Sequence, residues 1–187
     1  MTTHATHYVS FSAEIVPQTT EQLIAVFANL TNNGASEIHL LLTTPGGSVM
    51  HGITLYNTLR SLPVKVVTHN MGNVDSIGNV IFLAGDELNA CPNSTFMFHG
   101  VGFDVTTPVR LEEKRLREHL GSIGSDHRRI GGIIVEHTSL NEEQVVDLFV
   151  EARTKDAAWA TEVGMVHTVS KPEIPAGVPI HSLVFNR

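Results

Sequence analysis

Hydrophobic and polar positions along the chain alternate between strand-like and helix-like periods. Residues 8–15 alternate well enough to predict a strand, and apolar residues from Leu23 to Leu30 then fall on one helical face. An Asn-Asn-Gly sequence at residues 32–34 ends this helix. The nearly continuous apolar run at residues 38–43 is typical of a buried parallel strand.

The strand and helix patterns repeat through the middle of the chain. Helical spacing resumes at Val49, and it is followed by a predicted strand at 64–68, a helix at 77–84 and strands at 88–91 and 95–99. This order predicts an α/β fold in a single domain over residues 1–187. Residues 1–7 are predicted to form a flexible tail, and residues 171–187 an irregular C-terminal tail.

The second half of the chain is predicted to be mostly helical. A long helix at residues 108–136 carries an apolar stripe interrupted by glycines, which is typical of an element that packs against a helix or another subunit. Asn141 and Asp156 are each placed to cap a following helix. The last predicted elements are helices at 142–152 and 157–163 and a strand at 165–169.

Composition and charge exclude several classes of partner. The formal charge of −7, from 12 basic and 19 acidic residues, disfavours nucleic acid and anionic membranes. A single cysteine excludes an intrachain disulfide, and no apolar run reaches the length of a membrane span, so we expect a soluble, cytoplasmic protein. The 11 histidines show no metal-ligand spacing, and we expect neither a metal site nor an organic cofactor.

Candidate chemistry lies where predicted strands end. Gly46 and Gly47 follow one buried strand, Ser76 follows the next, and His99 ends a third. Carboxyl ends of parallel strands meet at one edge of a sheet, so these residues are expected to share a crevice. Two simpler interpretations remain open at this point, namely that Ser76 only caps a helix and that the glycines form an ordinary turn. No Gly-Lys-Ser/Thr sequence follows the glycines, which disfavours nucleotide binding.

Several short motifs occur in an order that resembles one known family. They are Pro45 to Val49 with Gly52 and Tyr56, Gly72 to Ser76 with Gly78, Leu83 to Gly85, Pro92 to Ser94, Phe96 to His99, His137 with Thr138, and Ala160 to Gly164. The chain is similar over residues 9–169 to the Clp protease proteolytic subunits, the ClpP serine peptidases. The resemblance implies the ClpP/crotonase-like fold, a repeated β-β-α superhelix with a protruding helical handle.

The resemblance also assigns roles to individual residues. Ser76 matches the family's nucleophile and His99 its general base, while Gly47 and Ile77 match the residues whose N–H groups form the oxyanion hole. A serine hydroxyl is a weak nucleophile until an imidazole removes its proton. Each fixed donor at a developing oxyanion contributes roughly 3 to 4 kcal/mol in acyl transfer.

The third member of the catalytic triad does not match. The family's aspartate, which orients the histidine, aligns with Ala152. Glu151 is the tentative substitute and Asp156 the alternative, although Asp156 has the competing role of a helix cap. Asp75, directly before the serine, also differs from the small residue usual in the family.

The resemblance implies a serine endopeptidase that cleaves peptides or unfolded proteins through an acyl-enzyme on Ser76. It implies a homo-oligomeric ring, and it allows an AAA+ unfoldase partner that no sequence motif supports. Ala152 favours an alternative, a catalytically impaired paralogue that serves as a structural or regulatory ring subunit. A third hypothesis is a crotonase-type acyl-CoA enzyme, because that fold also places paired backbone donors at its active site.

Overall fold

The computed structural model describes residues 6–102, 110 and 112–185. Helices and strands alternate over most of this length, and the predicted α/β class is confirmed. The elements in order are β1 (Thr6–Ser12), α1 (Pro17–Asn32), β2 (Glu37–Thr44), α2 (Val49–Ser61), β3 (Lys65–Asp75), α3 (Gly78–Phe82), β4 (Glu87–Ala90), β5 (Thr95–Met97), α4 (Glu113–His137), α5 (Glu142–Glu151), β6 (Thr154–Asp156), α6 (Ala157–Glu162), β7 (Thr168–Val169) and β8 (Ile180–Ser182).

One sheet contains the eight strands of the described residues. Its main path runs β6-β5-β3-β2-β1-β8, while β4 branches from β3 and pairs in turn with β7. The long strand β3 makes this branch because Val67–Asn70 pair with β4 and Asn73–Asp75 pair with β5. All pairs are parallel except β5 with β6. The carboxyl ends of β2, β3 and β5 therefore lie along one edge of the sheet.

The core lies between the sheet and the first two long helices. Ile38, Leu40 and Leu42 alternate along β2 with no exposed area, and they join one apolar cluster with Leu23 and Leu55 of the two helices. Burying a side chain of this size stabilises the folded state by about 1.5 to 3 kcal/mol. This packing fixes β2 and β3 and, with them, the turns that follow these strands.

Several strand predictions need correction, including the strand predicted at 8–15, which ends at Ser12, and the one predicted at 165–169, of which only Thr168–Val169 forms. β3 continues to Asp75 beyond the predicted end at residue 68, because pairing with β5 extends it past the glycine. The predicted strand 95–99 ends at Met97, where its pairing with β6 ends. The C-terminal tail is not irregular throughout, since β8 pairs in parallel with Tyr8–Ser10.

The terminal and helical boundaries also differ from the predictions. Thr6 and His7, assigned to a flexible tail, belong to β1, while residues 1–5 lie outside the described residues. The long helix predicted at 108–136 begins at Glu113, and residues 108, 109 and 111 lie outside the described part of the chain. None of the described helices is long and apolar enough to cross a membrane.

Candidate active site

A cavity of about 270 Å³ opens at the edge of the sheet where β2, β3 and β5 end. Gly47, Ser76, Ile77 and His99, the four residues assigned to catalysis by position, all line it. The other walls are mostly apolar and come from the loop after β5 and from two helices. They are Val49, Phe98, Gly100, Val101, Gly102, Ile130, Ile134 and Phe149. The structure thus brings together residues that are far apart in sequence.

Ser76 occupies a strained turn between β3 and α3. Its φ angle of 57° lies in the left-handed region, which costs a residue with a side chain about 1 to 2 kcal/mol. The Ser76 N–H donates to the Met97 carbonyl at 2.8 Å, which ties the turn to β5. A sharp strand-to-helix turn of this kind presents a serine hydroxyl at the sheet edge.

The helix-cap interpretation of Ser76 is wrong. The N-cap position of α3 is Ile77, with helical angles, and no side chain caps the helix there. The helix is also shorter than predicted, because it covers only Gly78–Phe82. The strain at Ser76 is therefore not offset by a hydrogen bond from its side chain to the start of the helix.

The two glycines after β2 are required by their conformation and by their neighbours. Gly46 and Gly47 have φ angles of 91° and 145°, where side chains are disfavoured. A Cβ on Gly46 would lie 2.6 Å from Ser76 Cβ, and one on Gly47 would overlap the Ile15 carbonyl. Hydrogen bonds from Ile15 N–H to the Gly46 carbonyl, at 2.8 Å, and from Ser48 N–H to the Ile15 carbonyl, at 2.9 Å, hold the turn on both sides.

His99 is exposed at the mouth of the cavity, just beyond β5. Its Nδ1 lies 2.8 Å from the carbonyl oxygen of Gly100. A carbonyl oxygen only accepts hydrogen bonds, so Nδ1 carries a proton and donates it. In the neutral ring, Nε2 is then the nitrogen with a free lone pair, which is the form that can accept a proton from a hydroxyl.

The carboxylates predicted as substitutes for the third member contact other groups. Glu151 binds Lys155 at 2.8 Å, and this hydrogen bond lowers the pKa of the Glu151 carboxyl. Asp156 accepts the Trp159 N–H at 2.8 Å and so caps α6, as predicted. The antiparallel pairing of β5 and β6 ends at Met97 with Thr154, and Ala152, which aligns with the family's aspartate, lies two residues before Thr154 at the end of α5.

Asp75, the other departure from the family pattern, is held on β3. Its carboxylate accepts a hydrogen bond from the Asn73 side-chain amide at 2.7 Å. The same Asn73 amide lies 3.3 Å from the Thr44 carbonyl at the end of β2. The carboxylate next to Ser76 is therefore engaged by a donor on its own strand.

Two polar residues beside the site were missed by sequence reasoning. Asn79 is buried, and its side-chain amide donates to the carbonyls of Ser76, at 3.0 Å, and Met97, at 2.8 Å. An asparagine within the apolar segment after Ser76 was the available signal. His127 of α4 accepts the Val101 N–H at 2.7 Å, and no local pattern in its glycine-rich helix indicates this contact.

The described residues contain no group of three or more His, Cys, Asp or Glu side chains that could hold a metal ion. The polar groups that line the cavity include the Ser76 hydroxyl, the His99 imidazole and backbone N–H groups. This set of groups suits acyl transfer, in which a nucleophile, a base and oxyanion donors are needed.

Comparison with known proteins gives consistent results. A family model described as Clp protease matches residues 3–173. ATP-dependent Clp protease proteolytic subunit 2 of Corynebacterium efficiens is 28% identical over 146 residues, which cover 74% of this chain and 69% of that protein. Proteolytic subunit 1 of Streptomyces avermitilis is 31% identical over 140 residues, covering 72% of this chain and 61% of that protein.

A solved structure supports the same fold. The structure of a ClpP1 mutant from Listeria monocytogenes matches with a TM-score of 0.76 at 21% identity, and the match covers 89% of this chain and 92% of that one. This likeness confirms the predicted ClpP/crotonase-like fold.

Proposed function

The chain belongs to the Clp protease family, and from this premise we propose that it is a serine endopeptidase that cleaves peptides or unfolded proteins through an acyl-enzyme on Ser76. The proposal rests on the observation that Ser76, His99 and Gly47 line the same cavity. Because the chain belongs to this family, we do not propose the acyl-CoA alternative.

The proposed reaction begins at the Ser76 hydroxyl. His99 Nε2 accepts the hydroxyl proton while Oγ attacks the scissile carbonyl carbon, and the carbonyl oxygen becomes an oxyanion. The N–H groups of Gly47 and Ile77 are assigned to this oxyanion. The protonated imidazole then donates to the leaving amine, and a water molecule activated by the same ring hydrolyses the acyl-enzyme. This mechanism uses no metal and no organic cofactor.

A fluorophosphonate probe tests the nucleophile directly. We expect the folded protein to be labelled at Ser76 and to hydrolyse fluorogenic peptides, and we expect Ser76→Ala to abolish both activities. Failure of the probe to label Ser76 in correctly folded protein would contradict the proposal.

Glu151→Ala and Asp156→Ala test the predicted third member, because retention of activity in both variants means that neither carboxylate is required.

One observation favours the alternative of an impaired paralogue. Ala152 offers no carboxylate at the position that aligns with the family's aspartate, and loss of the orienting carboxylate lowers the rate by about four orders of magnitude in serine proteases. The two candidates differ in peptide turnover by the purified protein. An impaired subunit would assemble but hydrolyse peptides no faster than Ser76→Ala.

We also propose a homo-oligomeric ring in the cytoplasm. Large apolar side chains are exposed on α4 and α5, including Leu120 at 66% and Val150 at 79%. Exposed apolar surface of this kind is typical of contacts between subunits. Native mass spectrometry of the purified chain measures the assembly. A monomer at micromolar concentration would contradict this part of the proposal.

A further inference from the structure

We infer that His127 is a positioning residue, which acts through a single peptide group to hold His99 in the tautomer needed for catalysis. The inference rests on the proposed peptidase function. It concerns the position occupied by an orienting carboxylate in other members of the family. In this chain, Ala152 aligns with that position.

One peptide group links the two histidines. The carbonyl of Gly100 accepts from His99 Nδ1 at 2.8 Å. The N–H of the same peptide group, which belongs to Val101, donates to His127 Nε2 at 2.7 Å. The two rings are thus joined by an amide that uses both of its polar groups. Hydrogen bonds in such a chain polarise and strengthen each other.

The chemistry of the amide fixes the protons at both ends. Its oxygen can only accept, so His99 carries a proton on Nδ1. Its nitrogen can only donate, so Nε2 of His127 is unprotonated and the neutral His127 ring carries its proton on Nδ1. The direction of every bond in the chain is therefore determined, and it leaves Nε2 of His99 free to act as the base.

Two helices hold the loop that contains this peptide group. His127 of α4 stacks on Phe149 of α5, with ring centroids 5.2 Å apart and planes inclined by 29°. The Phe149 carbonyl accepts the Gly100 N–H at 3.1 Å. A Cβ on Gly100 would lie only 3.2 Å from His127 Nε2, so glycine allows the close approach. The loop is thus restrained by two hydrogen-bond acceptors, the side chain of His127 and the main-chain carbonyl of Phe149.

A pair of variants separates the hydrogen bond from the packing. His127→Phe keeps an aromatic ring to stack on Phe149 but removes the acceptor. His127→Gln loses the ring, and its side-chain oxygen reaches about as far as Nε2 and restores the acceptor. We expect kcat for a fluorogenic peptide to fall about tenfold in His127→Phe with KM little changed, and to recover largely in His127→Gln. A purely structural role for the ring predicts the reverse order.

The tautomer of His99 provides a readout that does not depend on activity. Nitrogen-15 NMR of labelled histidine distinguishes a ring protonated at Nδ1 from one protonated at Nε2. We expect Nδ1–H for His99 in the wild type and in His127→Gln, and a shift toward Nε2–H in His127→Phe. Ser76→Ala is the matched control for catalysis, because it removes activity and is expected to leave the His99 tautomer unchanged.

The outcomes are distinguishable. Wild-type kcat in a folded His127→Phe protein, or a His99 ring protonated at Nε2 in the folded wild type, would overturn the inference. If His127→Phe does not fold, a large loss of kcat in a His127→Gln protein with a native melting temperature also overturns it. If the wild type shows the expected tautomers but does not hydrolyse peptides or react with the probe, the proposed function fails and the positioning role stands.

Discussion

Replacing Ala152 by aspartate is expected to raise peptidase activity, and the structure indicates by how much. Ala152 aligns with the family's orienting aspartate, and it lies two residues before Thr154, whose partner Met97 lies two residues before His99. Ala152 is exposed and has a φ angle of 49°, in the left-handed region. Aspartate tolerates this conformation better than alanine, so the substitution fits the backbone.

The size of the effect follows from what the carboxylate adds. A hydrogen bond to a charged group contributes about 1.5 to 3 kcal/mol, whereas one between neutral groups contributes about 0.5 to 1.5 kcal/mol. The Gly100 carbonyl already supplies a neutral acceptor for His99 Nδ1. The midpoints of these two ranges differ by about 1.3 kcal/mol, which corresponds to roughly tenfold in kcat. In serine proteases, the rate loss of about four orders of magnitude on losing the carboxylate includes the effect of an incorrect histidine tautomer. In this chain the Gly100 carbonyl already selects the Nδ1–H tautomer of His99.

Steady-state hydrolysis of a fluorogenic peptide and the rate of labelling by a fluorophosphonate measure this gain. Ala152→Asn is the matched control, because asparagine also tolerates the left-handed conformation but carries no charge. We expect an increase in Ala152→Asp alone, with similar thermal stability in both variants. Equal activity in the wild type and both variants would refute the argument from alignment and charge.

Three further predictions concern the turn at the site and the sheet. Gly47→Ala places a methyl group against a main-chain carbonyl, so it should lower the melting temperature and prevent labelling. Gly34→Ala is the control, because Gly34 has a φ of 87° but open space around it, and it should lower the melting temperature less. Asn79→Ala removes two hydrogen bonds at the Ser76 turn and should lower the free energy of unfolding in urea by about 1 to 2 kcal/mol and slow labelling. Burial and a neighbouring histidine lower the pKa of His69 from 6.5 to about 4, so below pH 6.5 the unfolded chain binds a proton that the folded chain does not. The free energy of unfolding measured in urea should therefore fall by roughly 3 kcal/mol between pH 6.5 and pH 4. The His69→Asn variant should show a flatter pH profile.

The sequence was informative where periodicity reflects burial. The apolar segment of β2 and the helical spacing after it identify elements that form the core, and parallel strands place their carboxyl ends together. For this reason Gly47, Ser76 and His99 could be associated before any coordinates were known. Their roles remain proposals that the labelling and kinetic experiments test.

The features that the sequence did not predict depend on contacts between distant segments. The extension of β3 to Asp75 and the formation of β8 result from main-chain pairing, which leaves little trace in side-chain periodicity. The contact between Val101 and His127 joins a loop to a helix 26 residues away. Local propensity carries no information about such a contact, because the distance between the loop and the helix is set by the whole fold.

The attachment of the His99 loop to α5 has a consequence during protein synthesis. Ser76 leaves the ribosome long before Phe149, whose carbonyl holds the Gly100 N–H, and before β6, which pairs with β5. Contacts between segments so far apart in sequence form late in folding. A nascent chain that already carries the serine therefore lacks the main-chain contacts that hold the His99 loop, so the proposed site is complete only after Phe149 and β6 have been synthesised.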